Sequence, residues 1–166
     1  MNPIFERRSI RRYTEKIVDD NQIKQLLKAG MCAPSARNAR PWHFIVVKDK
    51  ENLKMLSQTH QYAYMIKDAS VAIVVCGDLR VQSYRDYWVL DCSAATENIL
   101  LEAVQLGLGA VWVAVYPRDE RIRYVRNVLS IPTDVIPLCI IPVGYPAETP
   151  EQKERYDDSK IHYEKW

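Results

Sequence analysis

Glycine, histidine and paired cysteines are scarce in this chain, and their scarcity excludes several kinds of site. The 166 residues include five glycines, three histidines and four cysteines. The histidines stand far apart and no two cysteines form a C-x-x-C pair, so the ligand spacing of a metal site is absent and we expect no metal. The cysteines lie among apolar neighbours, which predicts buried free thiols in a reducing compartment. They are Cys32, Cys76, Cys92 and Cys139.

Long apolar runs and an excess of one charge are lacking as well. No run approaches the ~20 apolar residues that span a bilayer, and the first residues carry no apolar signal core. The net charge is +2, with 23 basic against 21 acidic residues, so we expect neither a membrane nor a nucleic acid as a partner. A G-x-S-x-G nucleophile motif is also absent. The length suits a single domain over residues 1–166, which we expect to be cytoplasmic.

Hydrophobic periodicity predicts a series of helices and strands along the chain. Apolar residues at helical spacing predict helices over 20–32, 51–60, 84–106 and 119–129. Short, sharply bounded runs rich in β-branched residues predict strands over 43–48, 71–76, 110–116 and 135–143.

The helix predicted over 84–106 is apolar around most of its circumference. Its polar residues fall within one narrow stripe at 100° per residue: Asp91, Asn98, Glu102 and Gln105. A helix of this kind needs cover on two sides, and a chain of this length has little material to supply both. We therefore infer that it packs between the sheet and a second subunit. A central helix enclosed within a monomer would give the same pattern.

Four arginines stand within six residues at positions 7–12, a segment we call the arginine motif. Guanidinium groups are planar forks of donors that match phosphate oxygens, and Ser9 adds a hydroxyl at the centre of the segment. The motif is therefore a candidate phosphate site. A solvated, charged helix end would have the same composition.

A second unusual segment, residues 34–41, is bounded by Pro34 and Pro41 and is called here the proline loop. Two prolines restrict an extended loop after the first long helix, and Ser35 and Asn38 offer a hydroxyl and an amide within it. Such a loop can position a ligand, or it can be a connector whose polar side chains cap backbone groups. The Gly107-Leu108-Gly109 turn lacks the remaining features of a dinucleotide fingerprint and indicates a helix stop.

Taken together, these segments resemble the FMN-dependent nitroreductase family along almost the whole chain. The family's first motif stands here as RRSIRRY over residues 7–13, and its second as APSARNARPW over residues 33–42. In the second motif Arg40 replaces the usual glutamine. The glycine turn at 107–109, the GYP sequence at 144–146 and the ending over 153–166 follow in the family's order.

The resemblance implies an α+β fold with a mainly antiparallel central sheet flanked by helices. It also implies a homodimer with an FMN site at each side of the subunit interface. Residues 147–166, which we call the C-terminal arm, are then expected to embrace the partner subunit and to be exchanged between the two copies.

The resemblance also assigns expected roles to individual residues around FMN. The phosphate is expected to meet Arg7, Arg8, Ser9, Lys153 and Arg155. Arg11 matches the position near the flavin N1 and O2 atoms, where negative charge develops on reduction. The ribityl chain and pyrimidine edge are expected to meet Pro34, Ser35, Ala36 and Asn38 of the opposite subunit. Flavin N5 is expected near the backbone of Ala114 and Val115. Tyr62, Tyr64 and Met65 follow the helix after the second motif, so they can line the open face of the ring or can be half-buried packing residues.

The implied activity is that of an FMN-dependent NAD(P)H oxidoreductase. NADH or NADPH would give a hydride to flavin N5 and leave, and a nitroaromatic, quinone or similar conjugated acceptor would then take its place. No protein nucleophile is required, so no catalytic side chain is expected. A flavoenzyme of the same fold with reductive dehalogenation or flavin fragmentation chemistry would carry the same FMN residues, and so would a non-catalytic FMN-binding or storage protein.

Overall fold

The computed structural model describes residues 2–81 and 87–166. Its helices are α1 (Pro3–Glu6), α2 (Asp20–Met31), α3 (Lys50–Leu56), α4 (Tyr87–Gln105) and α5 (Asp119–Leu129). Its strands are β1 (Trp42–Val47), β2 (Val71–Asp78), β3 (Gly109–Ala110), β4 (Val113–Ala114) and β5 (Val135–Gly144). Short 3₁₀ turns occupy Ala36–Asn38, Tyr64–Asp68 and Asp158–Lys160. No helix in these two ranges is long and apolar enough to cross a membrane.

The sheet is antiparallel throughout, in the order β1-β2-β5-β3, with β4 also paired to β5. Strands β2 and β5 lie at its centre and read as almost continuous apolar runs, because helices cover both faces. Ile73 and Val75 face the core beneath α2 and α4. Val74 and Cys76 face the core beneath α3 and α5. The predicted α+β architecture of a helix-flanked antiparallel sheet is thereby confirmed.

Helix α2 shows why the local predictions succeed. Asp19 accepts the amide of Gln22 and the Gln22 side chain accepts the amide of Asp19, which completes a capping box at its first turn. Gly30 near its end packs so closely on α4 that an added Cβ would lie 3.0 Å from the Ile99 side chain. The helix ends at Met31, one residue before the predicted boundary.

Helix α4 turns its polar stripe toward the chain's own helices and leaves an apolar face only partly covered. The predicted start at Tyr84 lies outside the described residues. The polar stripe predicted for this helix faces α2: the Asn98 amide donates to the Ala29 carbonyl at 3.0 Å, and Asp91 is buried at 6% exposure. A second face of the helix is largely apolar and only partly covered by the described residues, and Leu90 on it is 64% exposed. This face, which we call the open stripe, comprises Leu90, Ala94, Leu101 and Val104, with Glu97 among them.

Two predicted elements are shorter than their sequence patterns indicated. The strand predicted over 110–116 is interrupted, although its register is kept, since Ala110 lies opposite Val143 and Val113 opposite Ile140. The helix predicted over 51–60 ends at Leu56. Hydroxyl groups cause that stop, because Thr59 Oγ1 donates to the Leu56 carbonyl at 2.6 Å, where a further helical amide would otherwise bind.

The cysteines follow their prediction in three of four cases. Cys76, Cys92 and Cys139 are buried, and burial raises the pKa of Cys76 and Cys139 to about 12, so they are inert neutral thiols. The prediction for Cys32 is wrong. It is exposed, because it follows the last residue of α2 and points away from the core that the rest of that helix contacts.

Candidate functional site

The arginine motif lies along the edge of the sheet as an additional, irregular strand. Ser9 forms a parallel bridge with Ala110, and the Ile10 amide donates to the Ala110 carbonyl at 3.0 Å. Ile10 packs on Gly109 so closely that a Cβ at that glycine would lie 2.7 Å from its side chain. Glycine is therefore required at 109 for the motif to reach the sheet.

The root of the C-terminal arm is fastened to this motif. One carboxylate oxygen of Glu148 accepts the amides of Arg11 and Arg12 at 2.5 and 3.1 Å. The Ala147 amide in turn donates to the Arg12 carbonyl at 2.9 Å. The arm therefore leaves the domain directly beside the arginine motif.

Four of the predicted phosphate residues line one cavity of 690 Å³. They are Arg7, Arg8, Lys153 and Arg155, and α1 contributes Ile4 and Phe5 to the same cavity. The Arg8 guanidinium is held by the carbonyls of Phe5 and Arg7 at 2.8 and 2.7 Å. Of the two remaining motif residues predicted to bind FMN, Ser9 forms the sheet bridge, and Arg11 is exposed with its guanidinium 3.5 Å from the Ser9 carbonyl.

Arg7 has an ion-pair partner on the open stripe of α4. Its Nε lies 3.4 Å from Glu97 Oε1, and the two side chains are 24% and 48% exposed. A pair this exposed contributes at most about 1 kcal/mol of stability. The pair can therefore be exchanged for a stronger anion without unfolding the domain.

The proline loop is held in an uncommon backbone conformation. Arg37, Asn38 and Arg40 have φ angles of 53°, 54° and 48°, in the left-handed region that non-glycine residues seldom adopt. Two hydrogen bonds of 3.0 Å hold it: Ser35 Oγ accepts the Arg40 amide, and Asp91 Oδ1 accepts the Ala36 amide. The loop exposes Asn38 and Pro34 to solvent. Strain of this kind is typical of backbone that is preset for a ligand.

The two segments attach to α4 at different places. The proline loop is bonded at Asp91 and the arginine motif at Glu97. Six helical residues separate these points by about 9 Å along the axis and by about 120° around it. One chain therefore presents two separate groups of predicted FMN residues.

The structure qualifies the predicted N5 contact. Ala114 is exposed, and its carbonyl accepts a hydrogen bond from Arg121 Nη1 at 3.1 Å. Val115 is buried and its amide already donates to the Leu138 carbonyl at 3.0 Å. The prediction that Val115 offers a backbone N–H is corrected here, because the sheet already uses that N–H.

The residues predicted over the open flavin face also divide into two groups. Tyr62 and Tyr64 are exposed at 68% and 53%. Met65 is buried at 1% and packs in the core beneath α3 and α5, so its assignment to the flavin face is wrong. The local sequence did not indicate whether Met65, which directly follows the exposed Tyr64, faces the core or the solvent.

Three residues that contact the predicted site escaped the sequence analysis in that role: Asp91, Arg121 and Glu148. An acidic residue in the first turns of a largely apolar helix was a usable signal for Asp91, since such a side chain needs a partner when buried. Glu148 and Arg121 stand in polar segments where nothing local distinguishes them from solvated charges.

The comparisons with known proteins decide the family. A family model described as the nitroreductase family matches residues 4–64 and 52–145. The chain belongs to the nitroreductase family. A protein of Methanothermobacter thermautotrophicus, provisionally named NADH dehydrogenase/NAD(P)H nitroreductase, is 49% identical over 166 residues, which cover 100% of this chain and 87% of that protein.

Solved structures of nitroreductase-family proteins agree with the fold. A crystal structure of a protein from Parabacteroides distasonis with the same provisional name has a TM-score of 0.95 at 45% identity and covers 99% of this chain and 96% of the other. A provisionally named nitroreductase from Desulfovibrio desulfuricans, solved in complex with FMN, has a TM-score of 0.86 at 30% identity, with coverage of 99% and 95%. The family and fold predicted from the sequence are confirmed.

Proposed function

We propose that this nitroreductase reduces nitroaromatic, quinone or similar conjugated acceptors with electrons from NADH or NADPH. Its class, an FMN-dependent NAD(P)H oxidoreductase, is confirmed at the level of the family by relatives named NAD(P)H nitroreductase and by one solved with FMN. The observation that carries the proposal for this chain is the cavity lined by four cationic side chains at the arginine motif.

The donor set of that cavity suits a terminal phosphate. Four cations, Arg7, Arg8, Lys153 and Arg155, outnumber the one carboxylate of the cavity, Glu154, and a phosphate monoester carries about −1.5 to −2 charges at neutral pH. Arginine forks bind such an anion in a bidentate manner, which neutral donors cannot match in strength. On binding, Arg7 exchanges the exposed carboxylate of Glu97 for the phosphate. Ser9, next in the motif, supplies a further donor.

The other predicted residues would hold the rest of the cofactor. When bound, FMN supplies a ring nitrogen, N5, that takes a hydride from the nicotinamide and passes it to an acceptor that binds afterwards. Asn38 and Ser35 orient the pyrimidine edge and ribityl chain, with Pro34 and Ala36 packed beside them. Ser35 can still donate its hydroxyl proton, because its oxygen is the acceptor in the hydrogen bond from the Arg40 amide. Ala114, on exposed backbone, would face N5, and Arg11 would face N1 and O2.

We propose that the complete site needs two copies of the chain. The arginine motif and the proline loop sit on different sides of α4, and the open stripe between them is mostly apolar and only partly covered by the described residues. The C-terminal arm is exposed from residue 151 to residue 166, and Trp166, which stacks on His162 within the arm, has an exposure of 101%. An arm ending in aromatic residues gains most by packing on a partner. A homodimer with exchanged arms accounts for both exposed surfaces.

The first prediction tests the function as a whole. We expect purified protein to be yellow, to release FMN and not FAD on denaturation, and to lose its flavin absorbance when mixed anaerobically with NADH or NADPH. Adding a nitroaromatic or a quinone should restore that absorbance. Protein that binds FMN but is bleached by neither nicotinamide would be a flavin-binding protein and not an oxidoreductase. Failure to bind FMN at all would remove the proposal.

The second prediction concerns Arg11. A cation beside N1 and O2 stabilises the reduced, negatively charged ring more than the neutral oxidised ring. Losing one partly screened charge interaction of about 1–2 kcal/mol should therefore lower the flavin midpoint potential by roughly 20–45 mV in Arg11→Gln. The measurement is a redox titration at matched FMN saturation.

Arg12→Gln is the matched control for Arg11→Gln. Arg12 is the exposed neighbour whose amide shares the same Glu148 oxygen, so the variant removes an equal charge one residue away. The flavin midpoint potential of Arg12→Gln should equal that of the wild type within experimental error. If Arg11→Gln strongly weakens the binding of oxidised FMN and leaves the midpoint potential unchanged, Arg11 binds the phosphate and does not lie beside the ring.

A further inference from the structure

Glu148 places a negative charge at the arginine motif that the local hydrogen bonds do not need. Its Oε1 atom accepts the amides of Arg11 and Arg12, as described above. Any neutral acceptor could satisfy two amides, and a glutamine carbonyl has the same shape and the same two lone pairs. A glutamine could therefore make both hydrogen bonds in weaker form, and the negative charge of Glu148 acts in addition on the groups around it.

The charge of Glu148 acts on the same groups as the charge of Arg11. The Tyr13 hydroxyl, which donates to the Ile10 carbonyl at 2.7 Å, is sensitive to both. Its pKa is raised well above the usual range by burial first and by Glu148 second, while Arg11 acts in the opposite direction. The Arg11 guanidinium also stays near its own backbone, within 3.5 Å of the Ser9 carbonyl. The Glu148 carboxylate and the Arg11 guanidinium thus lie beside the same short segment, residues 9–13. Their charges have opposite effects on the electrostatic potential that a group facing this segment experiences.

We propose that Glu148 is a counter-charge to Arg11 that sets the reduction potential of the bound flavin. The inference rests on the proposed position of Arg11 beside the pyrimidine edge of the ring. The half-buried carboxylate lies at the backbone of that residue, because it accepts the Arg11 amide, and its negative charge opposes the charge of the exposed guanidinium. The reduced ring, which carries the negative charge, is stabilised less than it would be by Arg11 alone. Glu148 therefore holds the potential below the value that the arginine would otherwise give.

Glu148, which would adjust the reduction potential in this way, lies at the root of the C-terminal arm. Ala147 and Glu148 are the residues that fasten the arm to the motif, so the same contact positions the arm and adjusts the electrostatics of Arg11. Glu148 is a tuning and positioning residue in this scheme. It accepts no proton and no hydride.

The test is Glu148→Gln, with Glu151→Gln as the matched control. Glu151 stands three residues further along the arm and is exposed, and it lines a cavity that Glu148 also lines. Its variant therefore removes an equal charge without changing the hydrogen bonds to the amides of the arginine motif. Glu148→Gln keeps an oxygen for the two amides. The variant should bind reduced FMN more tightly relative to oxidised FMN by about three- to tenfold. This corresponds to a rise of the flavin midpoint potential by about 14–30 mV for a two-electron couple. Glu151→Gln should leave the potential unchanged.

Three outcomes separate this inference from the function on which it rests. A rise in Glu148→Gln together with a fall in Arg11→Gln supports it. An unchanged or lower potential in Glu148→Gln, with a fall in Arg11→Gln, overturns the counter-charge and leaves the proposed flavin site standing. If the potential changes in neither variant, Arg11 does not lie beside the pyrimidine edge of the ring, and the inference about Glu148 is overturned as well. Melting temperatures of holoprotein show in each case whether the fold was kept.

Discussion

Deleting residues 151–166 is expected to abolish the dimer and flavin retention together. The deletion removes Lys153 and Arg155 from the cationic cavity, and it removes the exposed aromatic end of the arm at Tyr163 and Trp166, which are 84% and 101% exposed in one chain. Every residue from 151 to 166 is exposed within one chain, so the remaining domain should stay folded. Sedimentation and flavin absorbance after gel filtration measure the two losses.

A shorter deletion distinguishes the two roles of the arm. Removing residues 157–166 keeps Lys153 and Arg155 and removes the aromatic end, so the dimer should weaken and flavin should be lost only as the dimer dissociates on dilution. The full-length Lys153→Ala/Arg155→Ala variant should do the reverse, losing flavin while it remains dimeric. A 151–166 deletion that stays dimeric and holds FMN tightly would contradict the exchanged arm.

Arg7→Ala and Arg155→Ala should each weaken FMN binding by about 1.5–3 kcal/mol, the usual range for a charge-assisted hydrogen bond. This is a loss of affinity of roughly 10- to 150-fold. The variants should remain folded, because Arg155 is exposed and the only ion pair described for Arg7 is its partly exposed contact with Glu97. Flavin fluorescence titration measures the affinity, and circular dichroism of apoprotein measures the fold.

Controls for these variants come from the same two segments. Arg12→Ala removes an exposed cation of the arginine motif, and Lys160→Ala removes an exposed cation of the arm that pairs with Asp157 at 3.5 Å. Neither residue lines the cationic cavity, so both variants should bind FMN as wild type does. Equal affinity in all four variants would mean that the arginines of the motif are only solvated charges.

The elements of the fold were predictable where their causes are local. Helix α5 occupies Asp119–Leu129 as predicted, because its spacing of apolar residues and the acidic residues of its first turn all lie within the segment. Strands β2 and β5 were recognised from almost continuous apolar runs rich in β-branched residues, which need cover on both faces. The interruption at 111–112 was missed, since the run of apolar residues continues through it.

Sequence alone determined the family and the residue types of the candidate site. The arginine motif and the proline loop are contiguous, so their order and spacing can be recognised without knowing how the chain folds. Arg7, Arg8, Lys153 and Arg155 were grouped by that resemblance, and the structure places them on one cavity. Which of them bind FMN stays a prediction for the variants above.

Only the tertiary structure decided which charges support the site and which groups are already in use. Asp91 meets the Ala36 amide from 55 residues away, and Glu148 meets the Arg11 amide from 137 residues away. The Val115 amide is already bonded to Leu138, and Met65 faces the core while its neighbour Tyr64 faces solvent. Each of these facts depends on where distant segments pack, because a hydrogen bond or a buried side chain is defined by its neighbours in space. Local propensity carries no information about those neighbours.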